Sequence, residues 1–453
     1  MTWGKHAAGS LAEALGGWSA GGGVAAAAAA VDTSGTVIAS SPPSLPADGR
    51  FEIGSVTKTM TATVLASLAA DGVLSLDDPV GRWLSAGPNG EITIRQLATH
   101  TSGLPAVAPN RQATQDNPAN PWAGYTFERA EEGLRQATVT PGNPWRYSNL
   151  GYQLLGLILQ RASGTEYPVL MNERLLAPLG MTHSGVGQRG EGTLLPGHAA
   201  DRQVLRWDHP WGAGGVEATI ADLARYARAC LSPPDTPLGT AIRLAQTPVL
   251  PRPDMPASTA PSLAQAPEPP RGNGSWQALA WVAEDETVRW HTGGTGGFSA
   301  CVMIDHRQGR AIAALLSYGG SPAYASRLKQ AARLVLAGAD PRQAAEPEPW
   351  PSWREDAQDA VRALLAGDIA KVHGRLASQR REKVSVQQLQ SAWNKAMPHP
   401  APRAGIAIVH HEIAASGAVV AHIAITTPDD SRRLRIVILP TGELGGFTPA
   451  PAA

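Results

Sequence analysis

The proline-rich stretch ADPRQAAEPEPWPSW, residues 339–353, constrains the fold of this chain more than any other feature. Proline lacks a backbone N–H and fixes its φ angle, so the four prolines of this stretch exclude a long helix or an interior strand there. A chain of 453 residues is also long enough for more than one domain. We therefore predict a large domain over residues 1–338, a linker over 339–353 and a small α+β module over 354–453.

Charge and composition narrow the classes of partner. The 38 basic and 38 acidic residues balance, so the sequence shows no electrostatic footprint for nucleic acid or anionic lipid. No apolar run reaches the length of a membrane-spanning helix, and Glu13 interrupts the N-terminal segment where a secretory signal would be continuously apolar. We expect a cytoplasmic protein without membrane insertion. Cys230 and Cys301 are expected to be buried thiols, because two cysteines are too few for a disulfide framework.

The large domain is predicted to combine helices with a few strands. The stretch VAAAAAAVDTSGTVIAS is helical by alanine propensity, but its Asp-Thr-Ser-Gly turn favours a hairpin of two small-residue strands. Residues 251–276 are too rich in proline for a core element and are predicted to form a long surface loop. The other predicted elements are helices at 8–17, at 55–70, in several segments up to about 246 and at 326–338, and strands at 278–286, 298–305 and 311–318.

The small module is predicted to place its helices before its sheet. Helical patterns occupy 356–367 and 385–397. Strand patterns follow at 406–414, 418–427 and 433–440, and TGELGG is predicted to be a turn. This order resembles the NTF2/cystatin-like modules that are appended to bacterial hydrolases. The module contains no catalytic constellation that we identify, so a packing or dimerisation role is the default interpretation.

Lysine usage draws attention to Lys58. Six of the 38 basic residues are lysines, and Lys58 is the only one between positions 6 and 328. A lysine amine can lose its proton, whereas a guanidinium effectively cannot. In Ser55-Val56-Thr57-Lys58 the hydroxyl and the amine share one helix face, so a neutral amine could accept the serine proton. The pattern alone is weak, since Ser326-Arg327-Leu328-Lys329 also matches it.

Two further motifs occur once each in the chain. Tyr147-Ser148-Asn149 offers a phenol and an amide before a predicted helix. A phenol near an ammonium would have a lowered pKa and could shuttle protons, while the amide could orient a substrate carbonyl or the lysine. Alone, this motif is more simply a helix start with an asparagine cap. The other motif is His291-Thr292-Gly293, within HTGGTGG. Those glycines could cradle a phosphate or form an edge strand that a substrate backbone approaches.

Motifs for other chemistries are absent from the sequence. It contains no G-x-S-x-G elbow of an α/β-hydrolase. It also lacks the G-x-x-x-x-G-K-[ST] and G-x-G-x-x-G nucleotide motifs, which favours the edge strand over the phosphate loop. No metal-ligand spacing occurs, so we expect neither a metal nor a cofactor. His100, in LATHTSGLP, is interpreted as a structural turn residue, and Trp211-Gly212 as a pocket wall or plain core.

Together, the three motifs resemble the serine β-lactamase and penicillin-binding protein superfamily, in its class C-like branch of D-peptidases and esterase-type hydrolases. The order Ser-x-x-Lys, Tyr-x-Asn, His-Thr-Gly matches that family. So do the surrounding segments FEIGSVTKTMTA, LSLDDPV, ITIRQLATHTSGLP, WRYSNLGYQLLG, LLAPLGM and HTGGTGGFSA. The resemblance implies an α/β (α+β) fold of β-lactamase/transpeptidase type, in which helices flank a five-stranded antiparallel sheet and a helical subdomain lies between Ser55 and the His291 strand.

The resemblance also implies the roles of single residues. Ser55 would be the acylated nucleophile, Lys58 its activator, and Tyr147 the general base that later protonates the leaving group. Asn149 would position the substrate, together with Gly293. His291 would line the site from the edge strand, and Thr292 would help to bind a carboxylate. The backbone N–H groups of Ser55 and Gly294 would form the oxyanion hole.

The sequence thus predicts a serine hydrolase that cleaves small esters or amides, including D-amino-acid peptides, through an acyl-enzyme. Histidine gives a substrate carboxylate less help than lysine at pH 7, so we expect weak β-lactam hydrolysis at most. Two alternatives stay open. The protein could be a β-lactamase proper, or it could be a sensor of β-lactams or peptides that is acylated without turnover. The sequence leaves the oligomeric state open.

Overall fold

The computed structural model describes residues 2–18, 24–114, 120, 122–139, 145–187, 190–199, 202–204, 211–251, 275–319, 322–344, 353–396, 404–413, 419–426, 431–439 and 442–450. The backbone divides into two compact units. The first comprises Met1–His198, Gln203–Gly319 and Tyr324–Ala345, and the second comprises Ala199–Arg202, Gly320–Ala323 and Glu346–Ala453. No helix in the described ranges is both long and apolar enough to cross a membrane.

Before residue 320, the five longest strands have seven residues each. The strands there are β1 (Ala26–Asp32), β2 (Gly35–Ser41), β3 (Phe51–Glu52), β4 (Gly185–Val186), β5 (Gly197–Ala199), β6 (Arg202–Val204), β7 (Val216–Ala218), β8 (Leu250–Pro251), β9 (Trp276–Gln277), β10 (Val282–Ala283), β11 (Val288–Gly294), β12 (Ser299–Asp305) and β13 (Arg310–Leu316). The helices are α1 (Trp3–Gly16), α2 (Thr57–Ala70), α3 (Ile94–Ala98), α4 (Phe127–Gln136), α5 (Asn149–Ser163), α6 (Tyr167–Met171), α7 (Trp211–Gly214), α8 (Ile220–Leu231), α9 (Pro237–Gln246) and α10 (Pro322–Leu336).

The main sheet confirms the predicted fold class. Its order is β2-β1-β13-β12-β11-β10-β9-β8, and its neighbours pair antiparallel. The five long strands form the predicted five-stranded sheet, which three two-residue strands extend. One face packs on α1 and α10, and the opposite face packs on α2 and α8. The helices α2 to α7 lie between Ser55 and β11 in the sequence, as predicted for the helical subdomain.

The predicted N-terminal hairpin is confirmed. Asp32 pairs with Gly35, so Thr33 and Ser34 form a two-residue turn. The strand β1 is buried on both faces, because alternate alanines belong to the two different core clusters. Packing therefore overrides the helical propensity of this alanine run.

The predicted strand 278–286 needed correction. Of the predicted strand 278–286, only Val282–Ala283 pair as β10, since Ala280 adopts a positive φ of 64° in a tight turn. The seven-residue strand is instead Val288–Gly294, which carries HTGG. This β11 pairs with β12 along its length but with β10 only at Arg289 and Trp290. Within the described strands, His291–Gly294 therefore has an open outer edge. The predicted loop 251–276 lies almost entirely outside the described residues.

The second unit has the predicted order of helices before strands. It contains α11 (Trp353–Leu365), α12 (Ile369–Gly374), α13 (Ser378–Arg381) and α14 (Val386–Ala396). They precede β14 (Gly405–Ile413), β15 (Val419–Thr426), β16 (Ser431–Ile438) and β17 (Leu444–Ala450), which form an antiparallel sheet in that order.

The predicted turn TGELGG is wrong in its second half, because Leu444–Ala450 form the fourth strand, β17. A register shift between Val437 and Ile438 accommodates this glycine-rich segment, and Gly446 has a φ of 146°. Glycine is depleted in strands, and so the sequence pattern indicated a turn. The resemblance to NTF2/cystatin-like modules stays a prediction.

Candidate active site

Ser55 lies at the one open point of an otherwise buried segment. The strand β3 leads into a 3₁₀ turn, Gly54–Val56, and α2 begins at Thr57. Every residue from Phe51 to Ala66 is buried except Ser55, which is half-buried. The predicted helix 55–70 is thus confirmed, with a 3₁₀ start. A hydroxyl that reaches solvent from a rigid, buried element suits a nucleophile that must meet its substrate in a fixed position.

Lys58 is fully buried, and its amine has three polar partners. Nζ lies 3.0 Å from Ser55 Oγ, 2.8 Å from Asn149 Oδ1 and 2.6 Å from the Ala213 carbonyl oxygen. The amide oxygen and the carbonyl oxygen can only accept, so they take two N–H groups. In a neutral amine those are the only two N–H groups, and the lone pair is then left for the hydroxyl proton of Ser55.

The surroundings of Lys58 favour that neutral form. Burial lowers the pKa of Lys58 well below its usual value of 10.5. The rings of Tyr147 and Tyr152 have their centroids 5.1 and 5.7 Å from Nζ. These rings exclude water from the amine, and desolvation disfavours its charge. The lysine is therefore suited to accept a proton from Ser55.

The pKa of Tyr147 shifts in the opposite direction to the sequence prediction. Burial raises the pKa of Tyr147, although a hydrogen bond with Ser55 acts against this shift. The sequence prediction assumed an adjacent ammonium that would stabilise a phenolate. Since burial also disfavours the ammonium form of Lys58, that stabilisation of a phenolate is weakened and the neutral phenol is favoured. Tyr147 therefore contacts Ser55 as a neutral O–H group.

His100 supports Tyr147 and was interpreted in the sequence only as a turn residue. It is buried, it adopts a φ of 61°, and its ring lies 4.5 Å from the ring of Tyr147. Its Nδ1 accepts the backbone N–H of Ser148 at 3.2 Å, and its carbonyl accepts the N–H of Arg146 at 2.7 Å. A positive φ is uncommon for a residue other than glycine, and it marks a position that the surrounding structure constrains. In the sequence, the only signal for this constraint was the turn pattern His-Thr-Ser-Gly in LATHTSGLP.

The loop before α5 directs Asn149 at the lysine. Ser148 caps the helix, since its Oγ accepts the N–H of Gly151 at 3.0 Å and donates to the carbonyl of Pro105 at 2.7 Å. The Asn149 N–H donates to the Ala106 carbonyl at 2.9 Å. With its backbone held in this way, Asn149 accepts from Lys58, so the structure selects the lysine-orienting alternative for its Oδ1. Its amide nitrogen remains as a donor.

The glycines Gly54 and Gly293 bring β11 against the turn that carries Ser55. A Cβ on Gly293 would lie 1.9 Å from the Ile53 carbonyl oxygen and 3.1 Å from the Ser55 nitrogen. A Cβ on Gly54, which has a φ of 49°, would lie 2.7 Å from the Gly294 nitrogen. Only glycine allows backbones to approach this closely. The N–H groups of Ser55 and Gly294, the predicted oxyanion-hole pair, are therefore neighbours.

The strand β11 sends His291 and Thr292 to opposite faces of the sheet. His291 pairs with Val302 and is buried on the α2 face, whereas Thr292 pairs with Cys301, which belongs to the cluster on the α1 face. His291 Nδ1 lies 2.6 Å from the Thr292 carbonyl oxygen. That oxygen must accept, so Nδ1 carries the proton. The structure does not place the Thr292 hydroxyl beside Ser55, and its role as a carboxylate ligand stays a prediction.

The α7 segment supplies a site group that the sequence interpretation missed. Its Ala213 carbonyl is the partner of Lys58 at 2.6 Å. A backbone carbonyl leaves no residue signature, although HPWGAGG had been noted as a pocket wall or plain core. Trp211 is 37% exposed, and its ring packs edge-on against Phe127 at 5.1 Å.

A small sheet ties the two ends of the site together. The strand β3, which precedes Ser55, pairs with β7, which follows α7, and β4 completes the sheet. Arg50 and Glu217 form a buried ion pair within it, with a distance of 2.7 Å between Nη1 and Oε2. Removing one member of such a pair leaves the other charge buried, so the pair fixes the relative position of these segments.

The second Ser-x-x-Lys match is ordinary surface structure. Ser326 is exposed on α10, and Lys329 Nζ lies 4.4 Å from the centroid of the Trp290 ring. The two cysteines are both buried, and burial raises the pKa of Cys301 to about 12. In the part of the chain that the structure describes, no group of three or more histidine, cysteine, aspartate or glutamate side chains could hold a metal ion.

A serine within hydrogen-bond distance of a buried lysine, at the start of a central helix and beside the open edge of an antiparallel sheet, is typical of the class of active-site-serine proteins that includes β-lactamases and penicillin-binding proteins. The model of the family described as Beta-lactamase matches residues 11–337. The chain belongs to this family.

Relatives and a solved structure agree with this assignment. Penicillin-binding protein 4* of Bacillus subtilis (strain 168) is 30% identical over 206 residues, 41% of this chain and 46% of the relative. The D-alanyl-D-alanine-carboxypeptidase/endopeptidase AmpH of Escherichia coli (strain K12) is 33% identical over 203 residues, 41% of this chain and 50% of the relative. The chain thus spans about half the length of these curated relatives or less. A D-stereospecific amidohydrolase from Streptomyces sp. superposes with a TM-score of 0.53 at 26% identity, over 68% of this chain and 93% of that one.

Proposed function

We propose that this protein is a class C-like serine hydrolase that forms an acyl-enzyme on Ser55. The observation that supports this most is the fully buried Lys58, whose Nζ lies 3.0 Å from Ser55 Oγ and whose two N–H groups have other acceptors. Such an amine is a base with its lone pair directed at the nucleophile. A lysine with a purely structural role would not need to be buried beside a serine hydroxyl in this way, since burying an amine without an ion pair is costly.

In the proposed acylation, Ser55 Oγ attacks the substrate carbonyl carbon while its proton passes to Lys58 Nζ. The carbonyl oxygen becomes an oxyanion, which the N–H groups of Ser55 and Gly294 stabilise. The bond from carbon to the leaving group then breaks. Tyr147 gives its phenolic proton to the leaving group and regains one from the Lys58 ammonium. Over the whole step, the serine proton ends on the leaving group.

This assignment gives the base to Lys58 and the relay to Tyr147. The sequence prediction had made Tyr147 the base, but its raised pKa opposes a resting phenolate. For deacylation we propose the same pair in reverse: as water attacks the acyl carbon, Tyr147 takes the water proton while giving its own to Lys58. Lys58 then returns a proton to Ser55 Oγ as the bond from that oxygen to the acyl carbon breaks. Asn149 would hold the lysine with its oxygen and offer its amide N–H to the acyl group.

We propose small esters and amides, including D-amino-acid peptides, as the substrates. One relative is named a D-alanyl-D-alanine-carboxypeptidase/endopeptidase, and a similar structure is named a D-stereospecific amidohydrolase. His291 carries its proton on Nδ1, so its other ring nitrogen is an acceptor when the ring is neutral. An acceptor gives no attraction to the carboxylate of a β-lactam, and ester turnover should therefore exceed β-lactam turnover.

Intact-mass spectrometry tests the proposal. The wild-type chain and Ser55→Ala are each exposed to p-nitrophenyl esters, D-Ala-D-Ala peptides and penicillins. We expect an acyl adduct on the wild type and none on Ser55→Ala, and an adduct that persists in the variant would refute the nucleophile. A stable adduct with burst kinetics and no turnover would favour the sensor, and a nitrocefin rate that equals the best ester rate would favour a β-lactamase.

A further inference from the structure

The short helix α7 ends with backbone groups that its own turn does not bond. Among the described residues, the Gly215 N–H donates a helical hydrogen bond to the Trp211 carbonyl at 3.1 Å. In a longer helix, the Gly212 carbonyl would accept the N–H of Val216. That N–H instead donates to Thr57 Oγ1 at 3.1 Å. The carbonyls of Gly212 and Ala213 therefore need hydrogen-bond donors from outside the helix.

One face of α2 supplies partners for all of these groups. Thr61 Oγ1 donates to the Gly212 carbonyl at 2.8 Å, and Lys58 Nζ donates to the Ala213 carbonyl at 2.6 Å. Thr57, Lys58 and Thr61 are each 0% exposed. The Gly212 and Ala213 carbonyls belong to consecutive peptide planes that meet at the Ala213 Cα, so a shift of the carbonyl that Thr61 holds displaces the start of the plane whose carbonyl Lys58 holds.

Tyr167 leaves the Thr61 proton for a backbone carbonyl, and the Gly212 carbonyl at 2.8 Å is nearer to Thr61 Oγ1 than the Thr57 carbonyl at 3.1 Å. The phenolic oxygen of Tyr167 lies 2.7 Å from Thr61 Oγ1 and is buried. Each of the two hydroxyls has a single proton. If Thr61 donates to the Gly212 carbonyl, then Tyr167 must donate to Thr61. Burial raises the pKa of Tyr167, which keeps it a donor. The result is a hydrogen-bonded chain from Tyr167 through Thr61 to Gly212, in which each bond strengthens the next.

We propose that Thr61, oriented by Tyr167, is a positioning residue for Lys58. It holds the Gly212–Ala213 peptide so that the Ala213 carbonyl takes one N–H of the amine and the lone pair stays directed at Ser55. Neither Thr61 nor Tyr167 touches the substrate in this scheme. The inference rests on the proposed function, because it assumes that Lys58 is the base that activates Ser55.

The test uses a fluorophosphonate, which phosphonylates activated serines, so that no natural substrate is needed. The rate of Ser55 labelling is measured against pH for the full-length wild type, Thr61→Val, Thr61→Ser and Tyr167→Phe. Thr63→Val is the matched control, since Thr63 is another buried hydroxyl of α2 and donates to the Thr59 carbonyl rather than to α7. Circular dichroism and Tm confirm that each variant is folded.

We expect Thr61→Val to lower the labelling rate about tenfold and to move the acidic limb of the pH profile to lower pH. A carbonyl acceptor stabilises an ammonium more than an amine, so its withdrawal lowers the pKa of Lys58. The other titratable side chains that face the amine in the described chain are the phenols of Tyr147 and Tyr152. Thr61→Ser should restore the profile, and Tyr167→Phe should change it in the same direction by a smaller factor of about three.

The outcomes separate this inference from the proposed function. A wild type that is not labelled at Ser55 contradicts the proposed function and the positioning role with it. A labelled wild type whose profile Thr61→Val leaves unchanged, or changes only as Thr63→Val does, contradicts the positioning role alone. If Thr61→Val does not fold, the decision falls to Tyr167→Phe, and an unshifted profile in that variant also overturns the inference.

Discussion

At the scale of single residues, the proposed chemistry depends on one buried amine. Lys58 has two acceptor oxygens and one hydroxyl around Nζ, and it lies against two phenol rings. Burial disfavours the charged form of this amine, and the two acceptor oxygens fix the directions of its N–H groups. The composition of the chain also distinguishes Lys58, since almost every other basic residue before residue 328 is an arginine.

Lys58→Arg tests whether deprotonation matters rather than positive charge. A guanidinium does not lose its proton in a protein, so it cannot act as the base. We expect the acylation rate to fall by about a thousandfold or more, which is the range seen when a catalytic base is removed. Stopped-flow acylation by a p-nitrophenyl ester measures it. Lys329→Arg, in the second Ser-x-x-Lys match, is the control and should react at the wild-type rate.

The protonation state of Lys58 also links stability to pH. Its pKa is lower in the folded chain than in the unfolded one, so the unfolded chain binds more protons between those two values. The lysine therefore costs stability at low pH, and this cost diminishes as the pH rises toward about 10.4, the value of a free lysine. We expect the free energy of unfolding of Lys58→Met, minus that of the wild type, to decrease as pH rises. Urea unfolding at pH 6 and pH 9 checks this, and a difference that increases with pH would contradict the neutral amine.

At the scale of elements, the site forms where β11 meets the turn before α2. The strand alternates its side chains, so His291 and Gly293 face α2 while Thr292 faces away. The approach is close enough that backbone atoms of Ile53 and Ser55 occupy the space of a Gly293 side chain. The oxyanion pair is thus a consequence of two glycines at a contact between elements.

Gly293→Ala tests that contact. Its Cβ would overlap the Ile53 carbonyl, so β11 must move away from the turn and the two N–H donors must separate. We expect a loss of about a hundredfold in kcat for ester hydrolysis, as for the removal of an oxyanion donor. At Gly294 a Cβ would meet nothing within 4 Å, and Gly294→Ala keeps the N–H. That variant should lose less than about tenfold, and equal losses in both variants would contradict the role of the close approach.

At the scale of the whole molecule, the two units have separate hydrophobic cores. All the residues that contact Lys58 belong to the first unit, and Trp353 is fully buried in a cluster of the second. Trp353→Ala should cost the second unit about 3–5 kcal/mol, as other large-to-small core substitutions do. We expect calorimetry to show a lowered transition, while fluorophosphonate labelling of Ser55 stays close to wild type. Labelling that falls in parallel with that transition would show that the second unit supports the site.

Much of the architecture could be predicted from the sequence, because local patterns specify it. The turn Asp-Thr-Ser-Gly predicted the hairpin, and the periodic segments predicted α2, α10, β12 and β13. The errors fall where tertiary packing overrides local preference. Ala280 interrupts a β-prone run with a positive φ, and Gly446 takes part in a strand that its glycines disfavour. The catalytic roles, the substrate class and the cytoplasmic location stay predictions.

By itself the sequence determined the family, and it predicts the side chains of the candidate site, Ser55, Lys58, Tyr147 and Asn149. Spacing on one helix and motif order along the chain are local properties, which a sequence records directly. Only the tertiary structure decided the directions of the pKa shifts and the backbone contributions. Burial lowers the pKa of Lys58 and raises that of Tyr147, and the carbonyl of Ala213 completes the contacts of the lysine amine. Desolvation depends on all the residues that surround a group in space, so a local sequence pattern does not reveal it. Every residue carries a backbone carbonyl, so the sequence does not show which carbonyl contacts the lysine.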